Sequence, residues 1–255
     1  TYDDFVLNER KNQASESFYD DLDKYSSLFA EADFEHSLLL KQARPAVFTS
    51  ESIFIREKIN RRLSKQVVNF AKSRNKTLYH VMHAIWISLI SIYTNSDDVV
   101  TGTPVSGRDK ATEDVIGFFV NSLAMRHSVD LNSSFENLLE NITVQTENLK
   151  KFQHIPFQQL IDKLSIPRER SKHPLFQCYF TVNQFNESQD FFAGMPIETP
   201  SQDIVGSLFD IEMTIQESEG RLAVEVLFNA ELFDSSFING MIKKYIDLLT
   251  QAVRS

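Results

Sequence analysis

The sequence is poor in cysteine, glycine and long apolar runs, and each shortage excludes a class of protein. A single cysteine, Cys178, leaves no partner for a disulfide within the 255 residues, which excludes a disulfide-rich secreted domain and favours a reducing compartment. The longest apolar stretch, Val81 to Tyr93, contains His83 and two serines and is too short to cross a bilayer. No signal-type N-terminus is present, so we expect a cytoplasmic protein with no membrane partner.

What the chain has in quantity is apolar and aromatic side chains. Hydrophobic residues make up 42% of the sequence, and 21 phenylalanines stand against seven glycines. This composition favours packed layers over flexible linkers, and the length is sufficient for one sizeable core or two small ones. Within a predicted strand, Cys178 is interpreted as a buried and unreactive thiol, because no basic partner is suggested nearby.

Charge is distributed unevenly along a chain whose net charge is −9. Residues 1–40 carry ten acidic and three basic side chains, whereas residues 41–76 carry ten basic and two acidic ones. The overall acidity argues against nucleic acid, because phosphate contacts dominate that affinity. The basic block is a candidate docking surface for an acidic protein partner or a phosphate, with Arg61, Arg62 and Lys65 as its candidate residues. Solvated basic faces of a strand and a helix are the alternative interpretation.

Apolar spacing predicts an α/β (α+β sandwich) fold. The helical period predicts helices at residues 2–12 and 15–30, after caps at Ser64 and Thr77, from Phe135 to about Phe152, and from about Asp234. A period of two predicts strands near residues 53–59, 176–182, 209–216 and 222–228, the last two as an antiparallel hairpin with a turn at Glu217 to Gly220. Helices between strands, together with a hairpin, predict a mixed β-sheet with helices packed on it.

The stretch from Asp98 to Arg126 contains two extended apolar runs on either side of a polar loop, which predicts strand, loop and strand. Glycine has no side chain to keep another group away from the backbone. Gly102 and Gly107 therefore suit a wall along which a thin molecule passes closely. An ordinary strand that ends in a turn is the alternative.

Five segments, in order, resemble motifs of nonribosomal peptide synthetase condensation domains. They are TLYHVMHAIWISLISIYTNSDDVVTGTPVSGR (77–108), IGFFVNSLAMR (116–126), HIPFQQLIDKL (154–164), RSKHPLFQCYFTVNQ (170–184) and NAELFD (229–234). The chain departs from the pattern at Ser122, where threonine is usual, and at His173, where asparagine is usual. Val120 and Asn121, in place of the Phe-Thr of epimerization and cyclization domains, favour the condensation subtype.

The resemblance implies one lobe of a chloramphenicol acetyltransferase-like fold, the C-terminal lobe of a condensation domain. Residues 1–45 would be a helical lead-in from the N-terminal lobe, and residues 46–255 the core of this lobe. The family's catalytic His-His-x-x-x-Asp-Gly motif is not in the sequence, since none of the six histidines is doubled. We therefore expect no catalytic residue on this chain, an N-terminal catalytic lobe as partner, and no activity of this chain alone.

In the family, two lobes enclose a tunnel that admits 4'-phosphopantetheine arms from the donor and acceptor peptidyl carrier proteins. By resemblance, the loop 108–117 forms the tunnel floor, and a latch at about 183–203 reaches across to the other lobe. The resemblance implies these tunnel residues: Gly107, Arg108, Gly117, Phe118, Phe119, Val120 and Asn121. It implies these first residues of the latch: Asn183, Gln184 and Phe185. Without a partner the segment 186–194 is expected to be mobile, and carrier proteins are expected to dock at Arg61, Arg62 and Lys65.

Two other functions are compatible with the sequence. The chain is alternatively a non-catalytic scaffold that binds carrier proteins, or a fragment of a stand-alone acyltransferase of the same fold that uses acyl-coenzyme A. The synthetase-type motifs around Gly117 and Pro174 count against the acyltransferase. No metal site is predicted, because His80 and His83 share a helix face but lack a third ligand.

Overall fold

The computed structural model describes residues 1–108, 110–185, 191–192, 195–196 and 206–254. The helices are α1 (Tyr2–Gln13), α2 (Glu16–Ser27), α3 (Arg61–Ser73), α4 (Leu78–Thr94), α5 (Phe135–Lys150), α6 (Phe157–Leu164) and α7 (Ser235–Ala252). The strands are β1 (Ser52–Lys58), β2 (Asp98–Ser106), β3 (Val120–Ser128), β4 (Cys178–Phe185), β5 (Phe191–Phe192), β6 (Met195–Pro196), β7 (Ile211–Ser218) and β8 (Arg221–Asn229). The predicted mixed α/β class is confirmed.

Six strands form one mixed sheet in the order β1-β8-β7-β4-β2-β3. The β7–β8 pair is the predicted antiparallel hairpin, closed at Ser218 and Arg221. Glu219 and Gly220 both have positive φ, as the tight turns that match the twist of paired strands require. Strands β4 and β7 pair in parallel along their whole length, whereas β2 and β4 form a ladder bridge at Gly102 and Tyr179 alone within the described residues. The sheet therefore parts between β2 and β4.

Helix α4 lies at the centre of the larger core. Its residues 80–91 are buried around the whole circumference, because the helix packs between the sheet and helices α3, α5 and α7. The opposite face of the sheet is covered near β2 and β3 by α2 and α6 with a second apolar cluster. None of the described helices combines the length and the apolar content that a membrane span needs.

Helix starts were predicted with mixed success. Thr77 caps α4 as predicted, since its Oγ1 accepts a hydrogen bond from the His80 N–H at 3.2 Å. The predicted cap at Ser64 is wrong, because α3 begins at Arg61 and its cap is Asn60. Ser64 instead lies buried in the first turn, where its Oγ accepts from the Leu222 N–H at 3.2 Å and ties α3 to β8.

Residues 33–44 have no regular structure but are fixed by the buried carboxylate of Asp210. The Arg44 guanidinium donates two hydrogen bonds to it, at 2.9 and 2.5 Å, and His36 Nε2 lies 2.8 Å from it. Burial alone would raise the pKa of Asp210, but the hydrogen bonds from His36 and Arg44 outweigh burial and lower it. The lead-in is thus anchored to the start of β7 by the Asp210 carboxylate, which contacts both His36 and Arg44. Cys178 is buried as predicted, and burial raises the pKa of its thiol.

Candidate functional site

The predicted floor loop, residues 108–117, is folded around the guanidinium of Arg108. Its Nη1 and Nη2 atoms donate to the backbone carbonyls of Thr112 (2.7 Å), Val115 (2.7 Å) and Gly117 (3.3 Å). The same guanidinium lies over the ring of Phe119, with Cζ 4.3 Å from the ring centroid. A planar cation with five donors can serve several carbonyls and stack at the same time, which an ammonium group cannot. Arg108 therefore supports the loop from within.

Phe119 joins the floor loop to helix α1. Its ring, 6% exposed, is packed against Tyr2 and Phe5, at centroid distances of 5.3 and 4.7 Å. The Tyr2 hydroxyl donates to the Phe118 carbonyl at 2.9 Å. At Gly117 an added Cβ would lie 2.2 Å from the Tyr2 ring, so glycine permits this approach. The loop and α1 form one packed unit.

Three apolar side chains of the same segment point away from the protein. Ile116 is 96% exposed, Phe118 74% and Val120 49%. Phe119, between Phe118 and Val120, packs inward, as alternate residues of an extended segment do when one side is packed and the other is free. We refer to Ile116, Phe118 and Val120 as the apolar edge. Because exposed apolar patches mark interaction sites, the apolar edge is a candidate contact surface.

Asn121 connects β3 to the next motif of the chain. Its Nδ2 donates to the carbonyls of Gln153 (3.1 Å) and Ile155 (2.7 Å), and its Oδ1 accepts from the Phe157 N–H (3.2 Å). Helix α6 begins after Pro156, which has no side-chain cap of its own. Asn121 thus supplies from a neighbouring strand the acceptor that a helix start needs. Its observed contacts are structural.

Gly102 lies in β2 and Gly107 directly follows that strand. Both glycines are packed against other groups of this chain. At Gly102 an added Cβ would lie 2.1 Å from the ring of Phe176, which is buried. The prediction of a passage at Gly102 is therefore wrong, because an aromatic ring fills the space. At Gly107 the close neighbour is the Phe119 carbonyl, which accepts the Gly107 N–H at 2.7 Å.

A pair of hydroxyl groups that the sequence analysis did not identify lies where β2 and β4 part. Ser122 Oγ and the Tyr179 hydroxyl are 3.3 Å apart, and both residues are half-buried. The Tyr179 ring stacks on Phe209 with centroids 4.4 Å apart, and burial raises the pKa of its hydroxyl. The sequence predicted that both residues lie in strands. It did not predict the order β3-β2-β4, which brings the two hydroxyl groups together.

The predicted first residues of the latch lie at the end of a strand. Asn183, Gln184 and Phe185 are in β4, where they pair with residues 216–218 of β7. Of the remainder, the structure describes only the short antiparallel pair β5 and β6. The expected mobility of 186–194 otherwise falls outside the described residues, as do residues 197–203.

The basic block divides into paired and unpaired cations. Arg44 pairs with Asp210, Arg56 with Glu225, Arg74 with Glu136, and Lys76 with Glu140. In the part of the chain that the structure describes, Arg61, Arg62 and Lys65 have no ion pair and are exposed on α3. The first turn of α3 contains no acidic residue, although the positive end of a helix dipole favours one. The three candidate docking residues are therefore among the cations of the block that form no ion pair within the described residues.

The two histidines considered as metal ligands lie in different surroundings. His80 Nε2 lies 2.8 Å from Glu147, whereas His83 is fully buried and stacks on Tyr79. Burial lowers the pKa of both imidazoles. Among the described residues, no three His, Cys, Asp or Glu side chains are grouped as a metal site.

Comparison with known proteins places this geometry in a family. The family model described as "Condensation domain" matches residues 1–255. Surfactin synthase subunit 1 of Bacillus subtilis (strain 168) is 28% identical over 252 residues, which are 98% of this chain and 7% of that protein. The chain therefore spans a small part of its curated relative.

Two solved structures share the fold. A four-domain nonribosomal peptide synthetase, bound to AMP and glycine, aligns with a TM-score of 0.83 and 24% identity over 96% of this chain and 20% of that one. The first condensation domain of the calcium-dependent antibiotic synthetase, in complex with a substrate analogue, aligns with a TM-score of 0.77 and 15% identity. That alignment covers 100% of this chain and 55% of the other. From the family match over its whole length, we conclude that this chain belongs to the condensation domain family.

Proposed function

We propose that the chain is the C-terminal lobe of a nonribosomal peptide synthetase condensation domain. Such a domain forms a peptide bond between a donor aminoacyl or peptidyl thioester and an acceptor aminoacyl thioester. Both are tethered to carrier proteins through 4'-phosphopantetheine. The family match along the chain supports the proposal, as does the alignment with 55% of a solved condensation domain. The sequence itself contains no His-His-x-x-x-Asp-Gly motif.

In the reaction, the acceptor amine attacks the thioester carbonyl of the donor. The new C–N bond forms, the C–S bond breaks, and the donor thiol leaves while the amine loses a proton. Holding two tethered reactants at attacking distance lowers the barrier substantially, because their translational freedom has already been lost. This lobe supplies one wall and the floor loop of the tunnel, and the proton acceptor belongs to the other lobe.

The single observation that carries the proposal is the apolar edge beside the floor loop. Ile116 and Phe118 are 96% and 74% exposed beside a loop that Arg108 already holds together. A second lobe packed on this edge would remove that surface from water, which favours association. The proposed latch, residues 183–203, and the lead-in, residues 1–45, would add further contacts to the same lobe.

Carrier proteins are proposed to dock at Arg61, Arg62 and Lys65. These cations are exposed and unpaired among the described residues, and an acidic face of a carrier protein would complement them. A non-catalytic carrier-binding scaffold is the second candidate function, and the absence of the catalytic motif from this sequence favours it.

An amide-forming assay with loaded donor and acceptor carrier proteins separates the two functions. The chain is tested alone, with the matching N-terminal lobe supplied separately, and as part of the joined domain. We expect product only when the N-terminal lobe is present, and loss of product when the second histidine of that lobe's motif is replaced by alanine. Turnover by the chain alone would contradict the placement of the base. A joined domain that binds carriers but forms no amide would establish the scaffold.

A further inference from the structure

Strand β1 lies at the end of the sheet and pairs with β8 on one side only. The Ile59 N–H donates to the Leu222 carbonyl, and the Ala230 N–H donates to the Glu51 carbonyl, each at 2.9 Å. In an antiparallel ladder, residues of the same parity turn their N–H and C=O groups to the same neighbour. The even-numbered residues Ser52, Phe54, Arg56 and Lys58 therefore turn theirs to the open edge.

This edge has no partner in the part of the chain that the structure describes. No hydrogen bond to the outward N–H and C=O groups of Phe54, Arg56 or Lys58 is formed there. Ile53 and Phe54 are 38% and 42% exposed, so apolar side chains accompany the free backbone groups. An edge of this kind is a template for an additional strand.

Cations collect where β1 leads into α3. Lys58, Arg61 and Arg62 are exposed and unpaired within the described residues, and α3 has no acid in its first turn. Positive charges at the positive end of a helix oppose its stability, and an anionic partner relieves that cost.

We propose that the open edge of β1, with Lys58, Arg61 and Arg62, is a docking surface for an acidic extended segment of a partner protein. The segment adds a strand beside β1, so backbone hydrogen bonds supply affinity and the cations supply selectivity for carboxylates. Because it shares Arg61 and Arg62 with the proposed carrier-docking surface, this inference rests in part on the proposed function. It extends that function in two ways: the edge of β1 becomes part of the docking surface, and the bound segment of the partner is extended.

The test uses a fluorescent peptide of alternating glutamate and valine, capped at both ends, and measures anisotropy as the chain is added. Two matched peptides serve as controls, one with lysine in place of glutamate and one N-methylated at alternate residues on its pairing edge. We expect the acidic peptide to bind at least about tenfold more tightly than either control, and its affinity to fall with salt. Equal binding of the lysine peptide, or no binding of the acidic one, would overturn the proposal.

Variants of the chain test the same surface from the other side. Phe54→Pro removes one outward N–H, whereas Phe54→Ala keeps it, and circular dichroism verifies that both fold. Arg62→Glu is compared with Lys72→Glu, which reverses an exposed charge near the other end of α3. We expect Phe54→Pro to bind about tenfold more weakly than Phe54→Ala, and Arg62→Glu about tenfold more weakly than Lys72→Glu. Unweakened binding in either variant overturns the proposal.

If Phe54→Pro fails to fold, the N-methylated peptide tests the strand contact on the unmodified chain. Undiminished affinity of that peptide refutes strand addition. Peptide binding requires no amide formation, so its outcome is independent of the condensation assay.

Discussion

The guanidinium of Arg108 lies over the ring of Phe119, with Cζ 4.3 Å from the centroid, while its nitrogens donate to carbonyls of the floor loop. Lysine at this position would keep the charge but lose the fork of donors. We expect Arg108→Lys to lower the free energy of unfolding by about 1–2 kcal/mol, the net value of one or two hydrogen bonds. Urea denaturation measures the change, and Arg221→Lys, an exposed position at the hairpin, serves as control. Unchanged stability of Arg108→Lys would contradict the supporting role.

Gly117 and Gly240 provide a matched pair. An added Cβ at Gly117 meets the Tyr2 ring at 2.2 Å, whereas at Gly240, inside α7, it meets nothing within 4 Å. Gly117→Ala should detach α1 and destabilise the chain, while Gly240→Ala should stabilise it by about 0.5–1 kcal/mol, because alanine favours a helix interior.

Thermal unfolding of the single variants, together with Tyr2→Ala and the double variant, measures the coupling between Gly117 and Tyr2. The double variant should lose less stability than the sum of the single changes. Strict additivity would show that the ring and the glycine do not constrain each other.

Asn121→Asp tests the tie between β3 and α6. The substitution removes the donor that serves the Gln153 and Ile155 carbonyls and places negative charge against them. A loss of about 1–3 kcal/mol is expected, since an acceptor is left without its partner in a half-buried site. Asn69→Asp, an exposed position on α3, should remain within about 0.5 kcal/mol of the unmodified protein. Equal effects at both positions in chemical denaturation would refute a specific role.

The buried His127 should make stability depend on pH. Burial lowers the pKa of His127 to about 3, against an ordinary value of 6.5. The folded state therefore holds it neutral while the unfolded state takes up a proton below pH 6.5. Its contribution is complete above that pH and is lost as the pH falls toward 3, at about 1.4 kcal/mol per pH unit. In His127→Gln, the slope of unfolding free energy against pH between about 6 and 4 should be smaller by that amount. An identical slope would contradict the assignment.

The apolar edge should matter for assembly and not for folding. Ile116→Glu and Phe118→Glu are expected to leave the unfolding midpoint unchanged, because both side chains already face water. They should weaken association with the N-terminal lobe and reduce amide formation in the joined domain. Leu131→Glu, where the leucine is 47% exposed in the turn after β3, is the control. Loss of association in Leu131→Glu alone would contradict a lobe contact at the apolar edge.

Local signals predicted most of the elements. The period of α4, the Thr77 cap and the β7–β8 turn depend on residues close in sequence, and each was found. Ser64 was misread because a serine before an apolar run resembles a cap, while Asn60 had already started the helix. The class of fold followed from these elements.

Contacts between distant residues were not predictable in the same way. The ring that fills the space at Gly102 belongs to Phe176, and the acids that pair with Arg74 and Lys76 belong to α5. The motifs singled out residues 108–117 as a segment, but the internal support of that segment by Arg108 was seen only in the folded chain. The roles of the site residues in binding substrates stay predictions.

Phe119 is shared by two parts of the chain, with Arg108 on one side and Tyr2 and Phe5 on the other. Neither part can shift without taking the ring along or uncovering it. If α1 also contacts a second lobe, as proposed, a rotation of that lobe against this one would displace Phe119 and, with it, residues 108–117. The distance between the lobes and the shape of the proposed tunnel floor would then change together.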